Sequence, residues 1–600
     1  MGQYEDPLRS TSTDIRELNC LTAEENKEEE NDLPCNEFDD ILDIIGSQGR
    51  VQKLLLYAAI CPITAIEPFI TLNMIFLLFQ PEHWCYVHGR DPNITSLTDW
   101  KNFYIPLDYT RPPGSDGQPK FSQCTMYSED SSIIKCPSGW EYDNTEYEST
   151  ISSAYNWVCD SADNPTDAFT AQAFGNAVGT LVLGHLSDKV GRKPIFFLTI
   201  LINVVFRMLS FFVVHNIVMF NITQFIAGTA FPMMFIAPSM ILAEICDKDY
   251  RGHVYAMTWM IWVVGMAALP LVVWFCREWF LIGITTTIPG ALLFLYWFYL
   301  PESPRWLFSV GKLEDAACVL MKIAKSNDRA DRLTKRQLDG TLSRLYSLQA
   351  KSEGRTGVWT LFSRMRLAKN TVLLTVCWSI NIVVYYGITL NTTQMSGNQF
   401  VNFFMLSIIE LPSGMCGAYL VDRVGRRWTQ VIFFCGCTLA CAASAAIVQF
   451  LNNPVIEIIS VVVAKFAITL TFLVVYLQGA EIFPTQLRST GSGFASTVGA
   501  ACGILGPIMV ALGTYNVSYP YWIMASLCFV GMISAAFLPE TLNQTLPETI
   551  DDANKFGKGN RFWSLRPSID LTKENSKDKP RLSQDNLKHC EKLTGNHINN

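Results

Sequence analysis

The stretch GHLSDKVGRK, Gly184 to Lys193, has a partner further along the chain in GAYLVDRVGRR, Gly417 to Arg427. Both carry D-x-x-G-R, and both stand between apolar runs of about twenty residues, the length that crosses a bilayer as a helix. A second pair follows in register, AEICDKDYRG around Glu244 and Arg251, and AEIFPTQLRSTG around Glu481 and Arg488. A third is PESPR at 301–305, echoed by PET at 539–541. Three matched signatures in the same order make a chance repeat untenable. The chain reads as two copies of one membrane-embedded half.

Composition agrees. Of 600 residues, 49% are hydrophobic and only 17% charged, against about 25% charged in ordinary soluble proteins. The charge is concentrated in tails and loops, leaving twelve apolar spans near 54–79, 168–186, 194–214, 218–243, 254–275, 279–300, 370–390, 399–420, 429–449, 455–478, 491–513 and 520–538. The expected fold is an all-α membrane protein of twelve transmembrane helices in two six-helix halves. Its parts are an acidic cytoplasmic tail (1–50), an N-terminal half (51–300) with a large outer loop (81–167), a cytoplasmic helical loop (301–369), a C-terminal half (370–540) and a disordered cytoplasmic tail (541–600). The net charge of −8 arises in tails and loops, and no basic patch with interleaved aromatics suggests nucleic acid.

Orientation follows from the loops. Residues 1–50 hold fourteen Asp/Glu against four Lys/Arg and no early apolar core, so they do not read as a cleavable signal peptide. The run Glu24 to Glu30 reads as a solvated, disordered tail. The outer loop carries fourteen acidic and five basic residues, and the 301–369 loop fourteen basic and seven acidic. Positive loops stay inside, which places both termini in the cytoplasm and residues 81–167 outside. The even set Cys85, Cys124, Cys136 and Cys159 in that oxidising compartment suggests two disulfides, with three pairings open. Asn93-Ile94-Thr95 is a glycan acceptor. Cysteines within the spans read as small core residues, and the seven His show no metal-ligand spacing.

The repeated loops have the chemistry of a gate. Asp188 and Asp422 can face a helix N-terminus of the opposite half, where partial positive charge favours an anion. Arg192, Arg426 and Arg427 can pair with Glu244, Glu481, Glu302 or Glu540, holding the cytoplasmic side shut until it opens. The blander reading, basic loops as topology signals alone, leaves the acidic partners without a role.

Six-span halves in parallel repeat resemble the major facilitator superfamily. More specific strings narrow the resemblance: FDDILDIIGSQGRVQ (38–52), PEHWC (81–85), CPSGWEYD (136–143), NWVCD (156–160), PESPRWL (301–307), IELP (409–412), EIFPTQLRSTG (481–491) and LPET (538–541). Together they look like solute carrier family 22, the organic cation, carnitine and organic anion transporters, over residues 38–545, nearest its β-alanine and carcinine carriers. The large outer loop is diagnostic, although members often have six cysteines in it. The span 11 position that is Asp in typical cation transporters, and Arg in anion and carnitine transporters, is Ala500 here.

That resemblance implies central spans 1, 4, 7 and 10 and flanking spans 2, 5, 8 and 11 around one cavity. A charge at mid-membrane costs about 2.5–3.5 kcal/mol on insertion scales, so each needs a reason. Glu67 (span 1), Glu410 (span 8) and Lys465 (span 10) can reach the cavity. Arg207, on peripheral span 3, is expected to pair with another helix or snorkel. Glu410 and Lys465 match family positions and read equally as a buried network or as substrate contacts. Glu67 is not a family hallmark, which makes it the candidate selectivity determinant. Trp378 and Tyr385, two helical turns apart, match positions that line the family's cavity, with Tyr386, Trp262 and Tyr476 as additions and Asn381 and Thr471 as hydrogen-bonding candidates.

The expected function is a plasma-membrane secondary transporter of a small organic cation or zwitterion such as β-alanine, carnitine or carcinine, working by alternating access with sodium or protons as the candidate coupling ion. The competing readings are an organic anion exchanger using Lys465 and a non-transporting glycoprotein on the same scaffold. No GK[ST] phosphate loop, G-x-S-x-G elbow or HExxH pattern points to an enzyme, a cofactor or a metal. Residues 312–324, with Leu313, Ala316, Ala317, Leu320 and Ile323 at helical spacing, are expected to form an amphipathic helix beneath the bundle.

Overall fold

The computed structural model describes residues 35–556, apart from residues 36, 47, 88–96, 109–119, 129, 353–356, 452, 485–486, 543, 545–546 and 548–549. Among these residues eleven helices are long and apolar enough to cross a membrane. The twelfth expected span is the 27-residue helix Asn164–Val190, made less apolar by its Gly, Thr, Gln and Asn residues. Close packing accounts for its glycines. A Cβ on Gly175 or Gly179 would stand 2.0 or 1.9 Å from a carbonyl oxygen of span 4. Small residues there let two backbones meet without a hydrophobic driving force.

In the first half, span 1 runs Arg50–Leu77 and span 2 is Asn164–Val190. Spans 3 to 6 are Arg192–Val213, Ile217–Ala243, Lys248–Cys276 and Trp279–Leu292. In the second half, spans 7 to 10 are Met365–Leu390, Gln399–Val424, Arg426–Ala446 and Pro454–Ile482. Span 11 starts as Arg488–Cys502 and resumes as Leu505–Ala511, and span 12 is Tyr519–Ala536. Each half buries its own apolar core, and a third cluster near the outer face joins spans 1, 5 and 6 to Phe400 and Phe403 of span 8.

Besides span 11, spans 1 and 8 are interrupted. Span 1 carries Pro68 inside its helix and loses regularity at Leu72 and Asn73 before Met74–Leu77 resumes. Span 8 breaks at Ile409, between Gln399–Ile408 and Glu410–Val424. Pro412 has no N–H to offer the Ile408 carbonyl, so the ladder fails there and Glu410 opens a fresh helix. A carboxylate in the first turn is favoured by that helix's dipole.

Both tails contain a short helix, the one in 541–600 falling where disorder was expected. Phe38–Ile45 forms a helix with Phe38, Ile41, Leu42 and Ile45 buried. It docks on the helices Pro304–Ser309, Leu313–Ser326 and Lys335–Ser352 in one shared core. Asp39 pins it by pairing with Arg251 at 2.7 Å and with Arg305. The apolar quartet, spaced as one helical stripe, outweighs the acidic residues around it. At the other end Ile550–Lys555 is helical and buries Ala553. The Leu313–Ser326 helix buries Ala316, Ala317, Leu320 and Ile323 as its spacing requires. The run Glu24 to Glu30 lies outside the described residues.

The outer loop holds three two-stranded antiparallel ladders, with Cys85 bonded to Cys136 and Cys124 to Cys159. Asn93 lies outside the described residues.

Candidate substrate site

A cavity of about 90 Å³ lies between the halves. Its wall includes Thr71 and Ile75 of span 1, Gln172 and Asn176 of span 2, Tyr386 and Thr389 of span 7, and Ala500 of span 11. Ala500, where the resemblance puts a charge-selecting side chain, therefore faces the cavity with a methyl group.

Glu67 sits one helical turn from Thr71, whose hydroxyl donates to the Glu67 carbonyl at 2.9 Å. Its side chain is buried at 1% exposure, and its Oε1 has no hydrogen-bond partner among the described residues. Span 5 closes behind it: a Cβ on Gly265 would fall 2.4 Å from the Ala65 carbonyl oxygen and 3.1 Å from the Pro68 ring. Tyr386, on the cavity wall, lies within electrostatic range of both Glu67 and Glu410.

Glu410 and Lys465 form a closed pair. Lys465 Nζ lies 3.0 Å from Glu410 Oε1, both side chains fully buried. The ammonium also donates to Thr389 Oγ1 at 2.8 Å and stands 3.4 Å from the Tyr385 ring centroid. Tyr385 Oη donates to the same Glu410 oxygen at 2.8 Å. Such a pair survives burial through these short contacts, while Glu410 Oε2 is buried with no hydrogen-bond partner among the described residues. Thr389 carries this network to the cavity wall. Glu410 and Lys465 balance each other, so the formal charge beside the cavity is set by Glu67: one net negative when it is ionised and zero when it is protonated.

Aromatic rings border these groups. Trp378 packs on Tyr476 at 4.5 Å between centroids, and Tyr385 on Phe472 at 5.6 Å. Trp259 of span 5 stacks on Phe472 from the opposite half at 6.5 Å, with Trp262 packed beside it through Phe235. Ring faces of this kind attract ammonium groups. Asn381 and Thr471 bond to each other at 2.6 Å, so they join spans 7 and 10.

The outer ends of the two halves are tied together, by residues that sequence reasoning missed. Tyr147 Oη donates to Gln399 Oε1 at 2.7 Å, and Gln399 Nε2 donates to the Ile75 carbonyl at 3.3 Å. Asn398 Nδ2 donates to Glu146 Oε1 at 2.7 Å. Phe76 lies 6.1 Å from Phe400 and 5.1 Å from Phe403. Arg277 holds the loop over this seam by donating to the carbonyls of Asn144, Thr145 and Glu146. Loop residues forming a closure leave no periodic signal in sequence.

The repeated motifs make their contacts within each half, with Arg192 on Glu244 and Arg426 on Glu481 among the pairings expected. Asp188 and Asp422 make their ion pairs locally. Their side chains are 68% and 75% exposed and pair with Arg192 and Arg426 one turn on. Arg192 reaches Glu244 at 3.7 Å, and Arg426 reaches Glu481 at 3.0 Å, each inside its own half. Gly191 and Gly425 turn the chain at φ 123° and 97°, open to glycine at little cost. The turn aims the first N–H groups of spans 3 and 9 at a carboxylate. Glu302 Oε1 accepts from Arg192 N at 3.1 Å, and Glu540 Oε1 from Arg426 N at 2.8 Å. These carboxylates satisfy open helix ends. Arg251 donates to the Ala243 and Cys246 carbonyls; Arg488, its repeat counterpart, has a buried Nε with no partner among the described residues.

Comparison with known proteins matches residues 143–552 to the family described as sugar (and other) transporter. The chain is similar to organic cation transporter 1 of Caenorhabditis elegans, 30% identical over 525 residues covering 87% of this chain and 89% of that one. It is similar to the carcinine transporter of Drosophila melanogaster, 30% identical over 88% of this chain and 80% of that one. The inward-open xylose transporter XylE of E. coli shares the fold, with a TM-score of 0.51 at 18% identity over 67% of this chain and 91% of that one.

Proposed function

We propose that this chain, which belongs to the sugar (and other) transporter family of the major facilitator superfamily and within it to solute carrier family 22, carries a small organic cation or zwitterion across the plasma membrane, with the substrate's amine meeting Glu67. The observation that carries the reading is Glu67 itself, a buried mid-membrane carboxylate with an unpartnered oxygen one turn from the cavity wall. An uncompensated buried carboxylate is costly; an ammonium arriving through the cavity offsets that cost and is held by it. The aromatic border and the net negative charge of ionised Glu67 favour the same ligand. The relatives named for organic cations and carcinine point to this class as well.

Lys465 is engaged by Glu410, Thr389 and Tyr385, which argues against an anion exchanger built on it. A zwitterion's carboxylate would instead meet the amides of Gln172 and Asn176 on the wall. Alternating access then consists of parting the outer tie at Tyr147 and Gln399 while the cytoplasmic ends close. Both termini lie in the cytoplasm in this reading, and Glu67 is also where a coupling proton or sodium ion would compete with the amine. Uptake into cells expressing the chain tests the proposal, with labelled cations, zwitterions and anions, with and without sodium, at two pH values. Accumulation of cations or zwitterions supports it; uptake confined to anions overturns it.

A further inference from the structure

Arg207 of span 3 is fully buried in the N-terminal half, away from the transport site. Its Nη1 donates to Gln224 Oε1 of span 4, and its Nε has no partner among the described residues. Among the described residues no carboxylate forms an ion pair with the guanidinium. Asn203, one turn earlier on the same face, is also fully buried, with both amide atoms unpartnered. So is the Nε2 of Gln224.

Span 6 runs antiparallel to span 3 and completes the surroundings. A Cβ on Gly283 would stand 2.6 Å from the Phe211 ring, and one on Gly290 3.1 Å from Val204. These two contacts bracket Arg207 and set Thr286 and Thr287 level with it. Thr287 Oγ1 is buried and unpartnered. Thr286 accepts from Asn73 Nδ2 at 2.9 Å.

Buried polar groups in folded proteins nearly always have partners. This cluster is mostly donors without them: the Arg207 Nε–H, the amide hydrogens of Asn203 and Gln224, and the Thr287 hydroxyl. It also carries an uncompensated positive charge at membrane depth. Water would satisfy donors and leave the charge; a small anion does both. We propose that Arg207, Asn203, Gln224 and Thr287 bind a monovalent anion of halide size, chloride in physiological media. Full burial of the cluster keeps out lipid headgroups. No residue of spans 3 or 6 lines the cavity, so this anion is not the transported solute. It holds spans 3, 4 and 6 together as a fixed structural ligand, independently of what the cavity carries.

The test uses the full-length protein purified in detergent. Its melting temperature is followed as sodium gluconate is exchanged for sodium chloride or bromide at constant ionic strength. The expected result is a saturable rise with either halide. Asn203→Leu and Thr287→Val keep the guanidinium and should each raise the half-saturating chloride concentration roughly tenfold or more, the effect of losing a hydrogen bond to a charged group. Arg207→Met should remove the response, and the two milder variants carry the test if it does not fold. A melting temperature indifferent to halide, as for a buried water only, overturns the proposal. So does a halide response that Asn203→Leu and Thr287→Val both keep unchanged.

Discussion

Replacing Tyr147 with Phe removes a single hydroxyl from the outer tie between the halves. That hydroxyl donates to Gln399 Oε1 at 2.7 Å, and the two residues are 1% and 3% exposed. The ring contacts to Phe79 and Phe400, at 5.4 and 5.1 Å, survive the change. Gln399 also keeps its bond to the Ile75 carbonyl, so the tie is loosened and not abolished. A buried acceptor left without its donor costs about 1–3 kcal/mol. The cost falls on the tied arrangement alone, because parting Tyr147 from Gln399 gives both groups to water. A shift of about 1–2 kcal/mol moves a two-state ratio roughly 5- to 30-fold. A cysteine placed at Leu72 on the cavity wall reports this as its labelling rate with a membrane-impermeant maleimide applied outside. Tyr147→Phe should speed labelling by about that factor. An unchanged rate at equal surface abundance would refute the assignment of Tyr147 to the outer closure.

Other perturbations address separate parts of the structure. Burial pushes Glu146 up from 4.5, with Asp143 adding to the rise and the Asn398 hydrogen bond opposing it. The closed outer face therefore holds a proton more tightly than the open one, so its advantage from this group is present at low external pH and is lost as pH rises through the raised pKa. The same labelling assay should slow on acidification through that window, and Glu146→Gln should remove the dependence. At the cytoplasmic face, Asp188→Asn loses only an exposed pair worth about 0.3–0.5 kcal/mol. Glu302→Gln weakens the cap on span 3 and should cost about 1–2 kcal/mol, read as the larger drop in melting temperature. Ala500→Asp should tighten cation uptake and Ala500→Arg suppress it, each by about tenfold or more in apparent affinity, measured by concentration-dependent uptake; equal effects of both charges would count against a cavity selected by charge.

The halves, the spans and the Glu67 position were legible because each leaves a one-dimensional trace. A twenty-residue apolar run is visible without partners, and a lone carboxylate in Ile66-Glu67-Pro68 stands out against it. Charge complementarity around Arg192 and Arg426 was visible too, but not which half supplied the partner. That depends on the positive-φ turns at Gly191 and Gly425, which aim the helix starts at Glu302 and Glu540. The outer tie joins residues 252 positions apart through one hydroxyl, a pairing no local pattern encodes. The Phe38–Ile45 helix was hidden by the acidic residues threaded through its apolar stripe. The donor cluster around Arg207 needs three spans in register before its imbalance can be seen.

The central claim is that Glu67 receives the substrate's amine, and one uptake measurement tests it most directly. Initial rates for a labelled cation or zwitterion are compared among the parent chain, Glu67→Gln and Glu67→Asp at equal surface abundance. Loss of an ion pair in a desolvated site costs about 3–5 kcal/mol, so Glu67→Gln should lose uptake by at least about a hundredfold. Glu67→Asp, with the charge withdrawn by one methylene, should fall between the two. Parent-like uptake by Glu67→Gln would contradict the account and leave Glu67 as a structural carboxylate.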